Sequence, residues 1–300
     1  MANPILPEHL RQFEIPGRVR IAGGNGGLTK VDITTACSTA EVYLHGAHIT
    51  GFQKKGDPPL LFMSHRSQFA AGKPIRGGVP ICFPWFGPHE EGVHGFARVV
   101  EWELAATNAA PDGTVTIRLR LPPVAAGADW PSLATEFVVT VADRLTMELI
   151  TTNRAPDRLL EFENCLHTYF AVGNIAQVSL AGLQDMPFDD FAFGAGGVRK
   201  NGDPLPLRIT QETNRVYFDH AGAVEIRDDT LRRTIRVEKF SSRSTVVWNP
   251  WTTQKMPDDF EPGEHQRMVC VESGNVKRNA VSLSPGQSAN LKVVLSSRAL

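Results

Sequence analysis

This sequence has few of the features that mark specialised classes of protein. The four cysteines form no C-x-x-C pair, so they indicate reduced thiols rather than a disulfide framework or a zinc ribbon. The 31 lysines and arginines nearly balance the 32 aspartates and glutamates, and the formal net charge is −1. This balance gives no sign of the extensive basic surface that binds nucleic acids and anionic membranes, but it does not exclude a local basic pocket. The cysteines are Cys37, Cys82, Cys165 and Cys270.

Targeting and membrane segments are also missing from the hydrophobicity pattern. Residues 1–13 lack the basic and apolar regions of a secretory signal peptide. A long stretch without formal charge, residues 165–183, contains His167, Asn174 and Gln177 and is too polar to cross a membrane. Together with the unpaired cysteines, these absences predict a cytoplasmic protein that binds neither membranes nor nucleic acids.

Helical periodicity is scarce, and only residues 7–13 predict a short helix. Alternation with a period of two, which is typical of a strand with one buried face, recurs along the chain. One hairpin is predicted over residues 137–149, and another is predicted over residues 19–33 around a glycine-rich turn. Further strands are predicted at 115–121, 224–226, 235–237, 246–248 and 291–295.

The 26 glycines and 21 prolines separate these strands, with turn signals at intervals of about 8–12 residues. This pattern predicts an all-β fold, either a sandwich or a barrel of antiparallel sheets. No change in composition divides the chain, so residues 1–300 are expected to form one domain. The stretch 194–206 is expected to be a loop within it.

Residues 76–88 contain three prolines, three glycines and three aromatic side chains, which predicts an ordered loop without regular structure. Because aromatic rings stack on the apolar faces of sugars, the loop is a candidate wall of a carbohydrate cleft. A connection that only crosses between the two sheets is the alternative.

Arg76 and Arg98 bracket the loop, and two guanidinium groups match the geometry of a phosphate or carboxylate. Capping of loop carbonyls is the other role open to them.

Two polar residues stand in apolar surroundings. His167 lies in a predicted strand rich in aromatic residues, where it is either a core residue or a proton-transfer group with a pKa near neutrality. Glu272 follows the apolar run 268–271, and burial would raise its pKa, as a general base requires. A solvent-exposed strand end is the alternative for Glu272. Alternation aims Met268 and Cys270 at the same face as Glu272.

Motifs of several other enzyme classes are missing. The chain has no phosphate-binding loop, no H-E-x-x-H helix and no Gly-x-Ser-x-Gly elbow. The histidines are too scattered to predict a metal site, and the His-x-His of a metal-dependent cupin isomerase is absent.

Taken in order, these segments resemble the aldose 1-epimerase superfamily, and within it the glucose-6-phosphate 1-epimerase branch. The resemblance covers about residues 40–280, nearly the whole chain. Its motifs are Leu-His-Gly-Ala-His at 44–48, Pro-Ile-Arg-Gly-Gly-Val-Pro at 74–80, Phe-Gly at 86–87, His-Gly-Phe-Ala-Arg at 94–98, Leu-His-Thr-Tyr-Phe at 166–170, Asn-Arg-Val-Tyr at 214–217, Val-Trp-Asn-Pro-Trp at 247–251 and Met-Val-Cys-Val-Glu at 268–272.

The resemblance implies a large antiparallel β-sandwich of the galactose mutarotase-like type, with few short helices and a sugar site in a cleft on one sheet. It implies that Glu272 is the base that removes the proton of the anomeric hydroxyl, and that His167 is the acid that protonates the ring oxygen. The ring then opens and closes again to the other anomer. Neither a cofactor nor a metal is implied, and a monomer acting on a small sugar phosphate is expected.

The resemblance also implies a binding set. His94 is expected to bind sugar hydroxyls, and Arg76 with Arg98 is expected to hold the phosphate. The sequence departs from the family pattern at Val93, where a glutamine is usual, and at Asn214, where an aspartate is usual. Both positions are associated with substrate hydroxyls, so the departures concern sugar identity more than proton chemistry. Asn214 can still accept a hydrogen bond, whereas the Val93 side chain cannot.

Two other functions stay open on the sequence alone. One is a non-catalytic carbohydrate-binding sandwich, and the other is an aldose 1-epimerase for unphosphorylated sugars. The presence of both His167 and Glu272 argues against the first, because binding by itself requires neither residue.

Overall fold

The computed structural model describes residues 7–123, 130, 132–194 and 196–300. Strands β1 to β24 account for most of the regular structure in these ranges, and each pair of neighbouring strands runs antiparallel. The first twelve strands are β1 Val19–Gly23, β2 Thr29–Thr34, β3 Ser38–Tyr43, β4 His48–Lys54, β5 Ile81–Cys82, β6 Pro88–His89, β7 Gly92–Val93, β8 Glu103–Ala109, β9 Val115–Arg120, β10 Leu133–Val141, β11 Leu145–Asn153 and β12 Leu160–Phe162.

The second half of the chain continues in the same way. Its strands are β13 Asn164–Leu166, β14 Tyr169–Ala171, β15 Val178–Ala181, β16 Phe188–Asp190, β17 Val198–Lys200, β18 Thr213–Phe218, β19 Val224–Asp228, β20 Arg233–Phe240, β21 Ser244–Asn249, β22 Met268–Asn275, β23 Val281–Leu283 and β24 Ser288–Ala299. The helices in the described ranges are short 3₁₀ segments, namely Glu8–Phe13, Asn25–Gly27, Ala97–Val99, Ile175–Gln177, Ala192–Gly194, Glu264–Arg267 and Lys277–Asn279.

Two eight-stranded sheets dominate the fold. The first has the order β15-β19-β20-β24-β11-β10-β9-β8. The second, which we call the cleft sheet, has the order β17-β16-β18-β21-β22-β13-β5, and β14 also pairs with β22. Strands β1 to β4 form a separate four-stranded sheet. This arrangement confirms the predicted antiparallel β-sandwich with few short helices.

One hydrophobic core joins the sheets. It contains Phe137 and Leu149 from the first sheet, Val269 and Val271 from the cleft sheet, and Val31 from the four-stranded sheet. Because side chains alternate along a strand, the other face of β22 points away from this core. That face carries Met268 and Cys270 in a smaller cluster, followed by Glu272.

The predicted elements are confirmed with three corrections. Both predicted hairpins are present, as β1–β2 and β10–β11. The stretch 194–206 is not entirely loop, because β17 lies within it and pairs with β16. The aromatic loop 76–88 likewise contains the two-residue strand β5. His167 lies in a break between β13 and β14 rather than within a strand.

Two glycines allow the close backbone contacts that build the cleft. A Cβ atom on Gly95, where φ is 73°, would lie 1.9 Å from the carbonyl oxygen of Phe83. A Cβ atom on Gly274 would lie 2.4 Å from the carbonyl oxygen of Asn164. Only glycine avoids these clashes, so Gly95 ties the 94–98 segment to the aromatic loop and Gly274 lets β13 approach β22.

Among the described residues, no helix has the length and the apolar character that crossing a membrane requires.

Candidate active site

A cleft of about 570 Å³ opens on the cleft sheet. Its volume lies within the range of about 300–1,000 Å³ that small-molecule sites occupy. All six residues predicted to act on the substrate line it, namely Arg76, His94, Arg98, His167, Asn214 and Glu272. A larger hollow of about 760 Å³ over β1–β4 contains none of them, so size alone does not identify the site.

His167 and Glu272 form the centre of the cleft. The Nε2 atom of His167 lies 3.3 Å from the Oε1 atom of Glu272. The exposed fraction is 8% for His167 and 1% for Glu272. The imidazole ring stacks on Tyr169, with 4.8 Å between the ring centroids and 12° between the planes. Glu272 is therefore not the exposed strand end that was the alternative.

Burial sets the protonation of this pair. It raises the pKa of Glu272 well above its usual value, and a hydrogen bond from the Cys165 thiol, 3.7 Å from Oε2, opposes the rise. Burial also lowers the pKa of His167 well below 6.5, and His94, Arg98 and Arg76 add to the shift. The expectation of a near-neutral histidine pKa is therefore wrong.

Both shifts favour the uncharged form of the pair, with the shared proton on the carboxyl group. Moving that proton from Glu272 to His167 creates a carboxylate and an imidazolium without changing the proton count of the pair. The 3.3 Å separation of the two atoms allows such a transfer. The pair can therefore supply a base and an acid together.

His94 is held in one tautomer by the backbone. The Gly87 N–H donates to the Nδ1 atom of His94 at 3.1 Å, so the ring carries its proton on Nε2. Burial lowers the pKa of His94 to about 3, and the nearby Arg98 and Arg76 contribute to the shift. A neutral N–H donor on a wall of the cleft suits a hydroxyl group.

The two arginines are both deeply placed, and each already has a partner. Arg76 donates to the hydroxyl of Tyr169 at 3.1 Å and to both carboxylate oxygens of Asp259 at 3.3 Å. Burial disfavours its charge, but Tyr169 and Asp259 outweigh that effect and raise the pKa of Arg76. Arg98 donates to the carbonyl oxygen of Val93 at 2.6 Å, and its Nε atom is buried without a partner among the described residues.

The two departures from the family pattern lie at the rim. Val93 is 49% exposed and contacts Arg98 through its backbone oxygen, so the contact does not depend on the side chain. Asn214 is half-buried on β18 opposite Trp248, and its backbone oxygen accepts a hydrogen bond from the Phe191 N–H at 2.8 Å. The Asn214 side chain faces the cleft, where it is available to a hydroxyl group.

Several cleft residues were not selected from the sequence. Trp248 belongs to the Val-Trp-Asn-Pro-Trp motif at 247–251 and lines the cleft, where its Nε1–H donates to Gln254 at 3.0 Å. Lys277 is exposed at the rim, with its ammonium 5.0 Å from the centre of the Phe191 ring. The motif gave a signal for Trp248, but no local pattern distinguishes Lys277 from other surface lysines.

Two clusters in the described chain bring metal-ligating groups together. In one, ligand atoms of His167, Cys270 and Glu272 lie within 4.8 Å of one another, although the sequence predicted no such set. The other contains His65, Glu261 and Glu264. There the two carboxylate oxygens of Glu264 already accept the backbone N–H groups of His65 and Glu261.

The fold is an antiparallel β-sandwich, and its cleft sheet carries a buried contact between a histidine and a glutamate. The chain belongs to the aldose 1-epimerase family, whose model matches residues 29–296.

Relatives in several organisms are similar over most of their length. A protein of Cenchrus ciliaris named "Putative glucose-6-phosphate 1-epimerase" is 32% identical over 284 residues, covering 90% of this chain and 85% of the relative. A protein of the same name from Salmonella typhimurium is 34% identical over 250 residues, covering 78% and 79%.

Solved structures support the same fold. The crystal structure of the Salmonella typhimurium protein YeaD has a TM-score of 0.83 and 26% identity, and the match covers 96% of each chain. A galactose mutarotase related enzyme from Lactobacillus acidophilus has a TM-score of 0.69 at 13% identity, covering 90% of this chain and 97% of that one. At that identity the second likeness concerns the fold alone.

Proposed function

We propose that this protein interconverts the α and β anomers of a hexose 6-phosphate, with glucose 6-phosphate as the preferred substrate. The observation that carries the proposal is the contact of His167 with Glu272 at 3.3 Å, in a cleft that also contains two arginines. Membership of the aldose 1-epimerase family and the names of the relatives support it.

Ring opening uses the pair in its charged form. The Glu272 carboxylate takes the proton of the anomeric hydroxyl, the C1–O1 bond becomes a carbonyl, and the C1–O5 bond breaks. The ring oxygen O5 takes a proton from the His167 imidazolium. Rotation about C1–C2 turns the aldehyde, and the reverse transfers close the ring and restore both groups. Each positioned proton transfer typically contributes about 10²- to 10⁴-fold, which suffices for a labile hemiacetal.

The other residues position the sugar. Neutral His94 and the amide of Asn214 offer hydrogen bonds to hydroxyl groups. The aromatic rings of Trp248 and Phe86 offer flat apolar surfaces to the C–H faces of the ring.

The phosphate is assigned to the arginine side of the cleft. Arg98 lines the cleft and donates one N–H group to the carbonyl oxygen of Val93, which leaves other N–H groups of its guanidinium for a phosphate oxygen. Arg76 is held by Asp259, which orients its guanidinium but offsets part of its charge. Lys277 adds a third positive group at the rim, where it attracts a dianion before the substrate is fully bound.

We also propose that residues 1–300 work as one cytoplasmic domain and as a monomer. All of the assigned site residues come from one chain, and they span positions 76 to 277. The four free thiols agree with a reducing compartment.

The direct test is exchange spectroscopy on the two anomers of glucose 6-phosphate, with and without the protein. We expect exchange well above the spontaneous rate, and a weaker effect on glucose. Exchange equal to the spontaneous rate for both sugars would favour a carbohydrate-binding module. Equal kcat/KM for glucose and its 6-phosphate would identify an epimerase of unphosphorylated aldoses.

A further inference from the structure

A third side chain adjoins the acid–base pair. Cys270 precedes Glu272 by two positions on β22, so both side chains point to the cleft face of the strand. One ligand atom from each of His167, Cys270 and Glu272 lies within 4.8 Å of the other two, and all three residues are buried. The proton transfers proposed above use the histidine and the glutamate and leave the thiol without a role.

One distance within this cluster suits a tetrahedral ion. Zinc(II) binds imidazole nitrogen and carboxylate oxygen at about 2.0–2.2 Å and thiolate sulfur at about 2.3 Å. Two nitrogen or oxygen ligands on such an ion are therefore roughly 3.3–3.5 Å apart. The 3.3 Å between His167 Nε2 and Glu272 Oε1 matches this separation. Both residues also line the cleft, which leaves the fourth position open to water.

The charge balance of the cluster is compatible with the same ion. A zinc ion with one thiolate and one carboxylate carries no net charge. A neutral cluster is tolerated beside Arg76 and Arg98, whereas an uncompensated divalent cation would be repelled. Magnesium prefers six oxygen ligands and does not fit this set.

We propose that His167, Cys270 and Glu272 form a zinc(II)-binding site that overlaps the acid–base pair, so that bound zinc inhibits the protein. The ion occupies the nitrogen and the oxygen between which a proton must move. Zinc binding itself is independent of the proposed function, whereas the inhibition rests on it.

The test of binding uses the full chain, freed of metal by chelation and then titrated with zinc chloride against a chromogenic chelator. We expect one tight site per chain. Cobalt(II), as a spectroscopic probe, should show tetrahedral bands and a sulfur-to-metal charge-transfer band. Losing an outer-shell partner typically weakens metal binding about 10- to 100-fold, so losing a ligand in Cys270→Ala or Cys270→Ser should weaken it at least tenfold. Cys37→Ser, which alters a thiol outside the cleft, is the matched control and should bind zinc like the unmodified protein.

The second arm measures exchange of the glucose 6-phosphate anomers as zinc is added. We expect exchange to fall as the site fills, to recover on chelation, and to resist zinc in both Cys270 variants. Zinc affinities that are equal in the Cys270 and Cys37 variants would overturn the site. Stoichiometric binding through Cys270 with undiminished exchange would overturn the inhibition. Absence of exchange in the metal-free protein would contradict the proposed function and leave the zinc-binding result standing.

Discussion

Strands β10 and β22 bury their side chains in different ways. On β10 buried and more exposed positions alternate, so one face meets the core and the other meets solvent. On β22 all eight residues are buried, because the face turned away from the core is covered at the cleft. A polar residue on the outer face of β10 or β11 is ordinary. A buried polar residue on β22 needs partners that offset the loss of water, and Glu272 has them in His167 and the Cys165 thiol.

The largest effect is expected on stability, where the two faces of β10 should differ. Phe137 is wholly buried there, and Phe137→Ala should lower the free energy of unfolding by about 3–5 kcal/mol, because it removes a large side chain and leaves a cavity. Its neighbour Val138 lies on the outer face, and Val138→Ala should cost about 1 kcal/mol or less. Urea unfolding measures both, and similar losses would contradict the two-faced description of the strand.

The next effect concerns catalysis on β22. Glu272→Gln keeps the shape of the side chain but removes the proposed base, and His167→Asn removes the proposed acid. Each should reduce turnover at least about 10²-fold while the fold is retained. The matched control is Glu148→Gln on β11, where the glutamate is partly exposed and pairs with Lys292. Near-native anomer exchange in either cleft variant would show that the roles are wrongly assigned.

The two cleft arginines are expected to affect binding of the phosphate group. A charge-assisted hydrogen bond contributes about 1.5–3 kcal/mol, so two contacts predict at least about 10²-fold higher kcat/KM for glucose 6-phosphate than for glucose. Arg98→Ala or Arg76→Ala should remove most of this preference. Arg118→Ala, which breaks a surface pair with Glu136, should leave it intact. Steady-state kinetics on both sugars decide the matter, and equal damage to both would exclude a phosphate role.

A smaller effect is expected at the rim. Lys277 is exposed, and an exposed ion pair contributes about 0.2–1 kcal/mol, so Lys277→Met should lower kcat/KM for the phosphorylated sugar up to about fivefold. The loss should shrink as salt is raised, because exposed charges are screened. Lys292→Met, on the first sheet, is the control. A loss that is independent of salt would place the ammonium in direct contact with the substrate.

Removal of metal ions is expected to have no effect on anomer exchange. Because the proposed proton transfers need only side chains of the chain itself, exchange should survive exhaustive chelation. Activity that is lost on chelation and restored by one divalent ion would replace the proton-transfer mechanism with a metal-dependent one.

The sequence determined by itself the elements whose signals are local. Period-two alternation with glycine-rich breaks specified the hairpins β1–β2 and β10–β11, since a strand with one buried face must alternate. The motifs likewise identified the cleft residues one segment at a time. Strand β17 was missed because a strand of three exposed residues carries no such alternation.

Only the tertiary structure decided what depends on contacts between distant segments. Three features of the site bring together residues that are far apart in sequence. They are the contact of His167 with Glu272, the salt bridge of Arg76 with Asp259, and the position of Lys277 at the rim of the cleft. The low pKa of His167 follows from the same cause, because burial and the nearby arginines arise only once β13, β5 and β22 are assembled. Local patterns can name such residues, but desolvation and distance are properties of the folded chain.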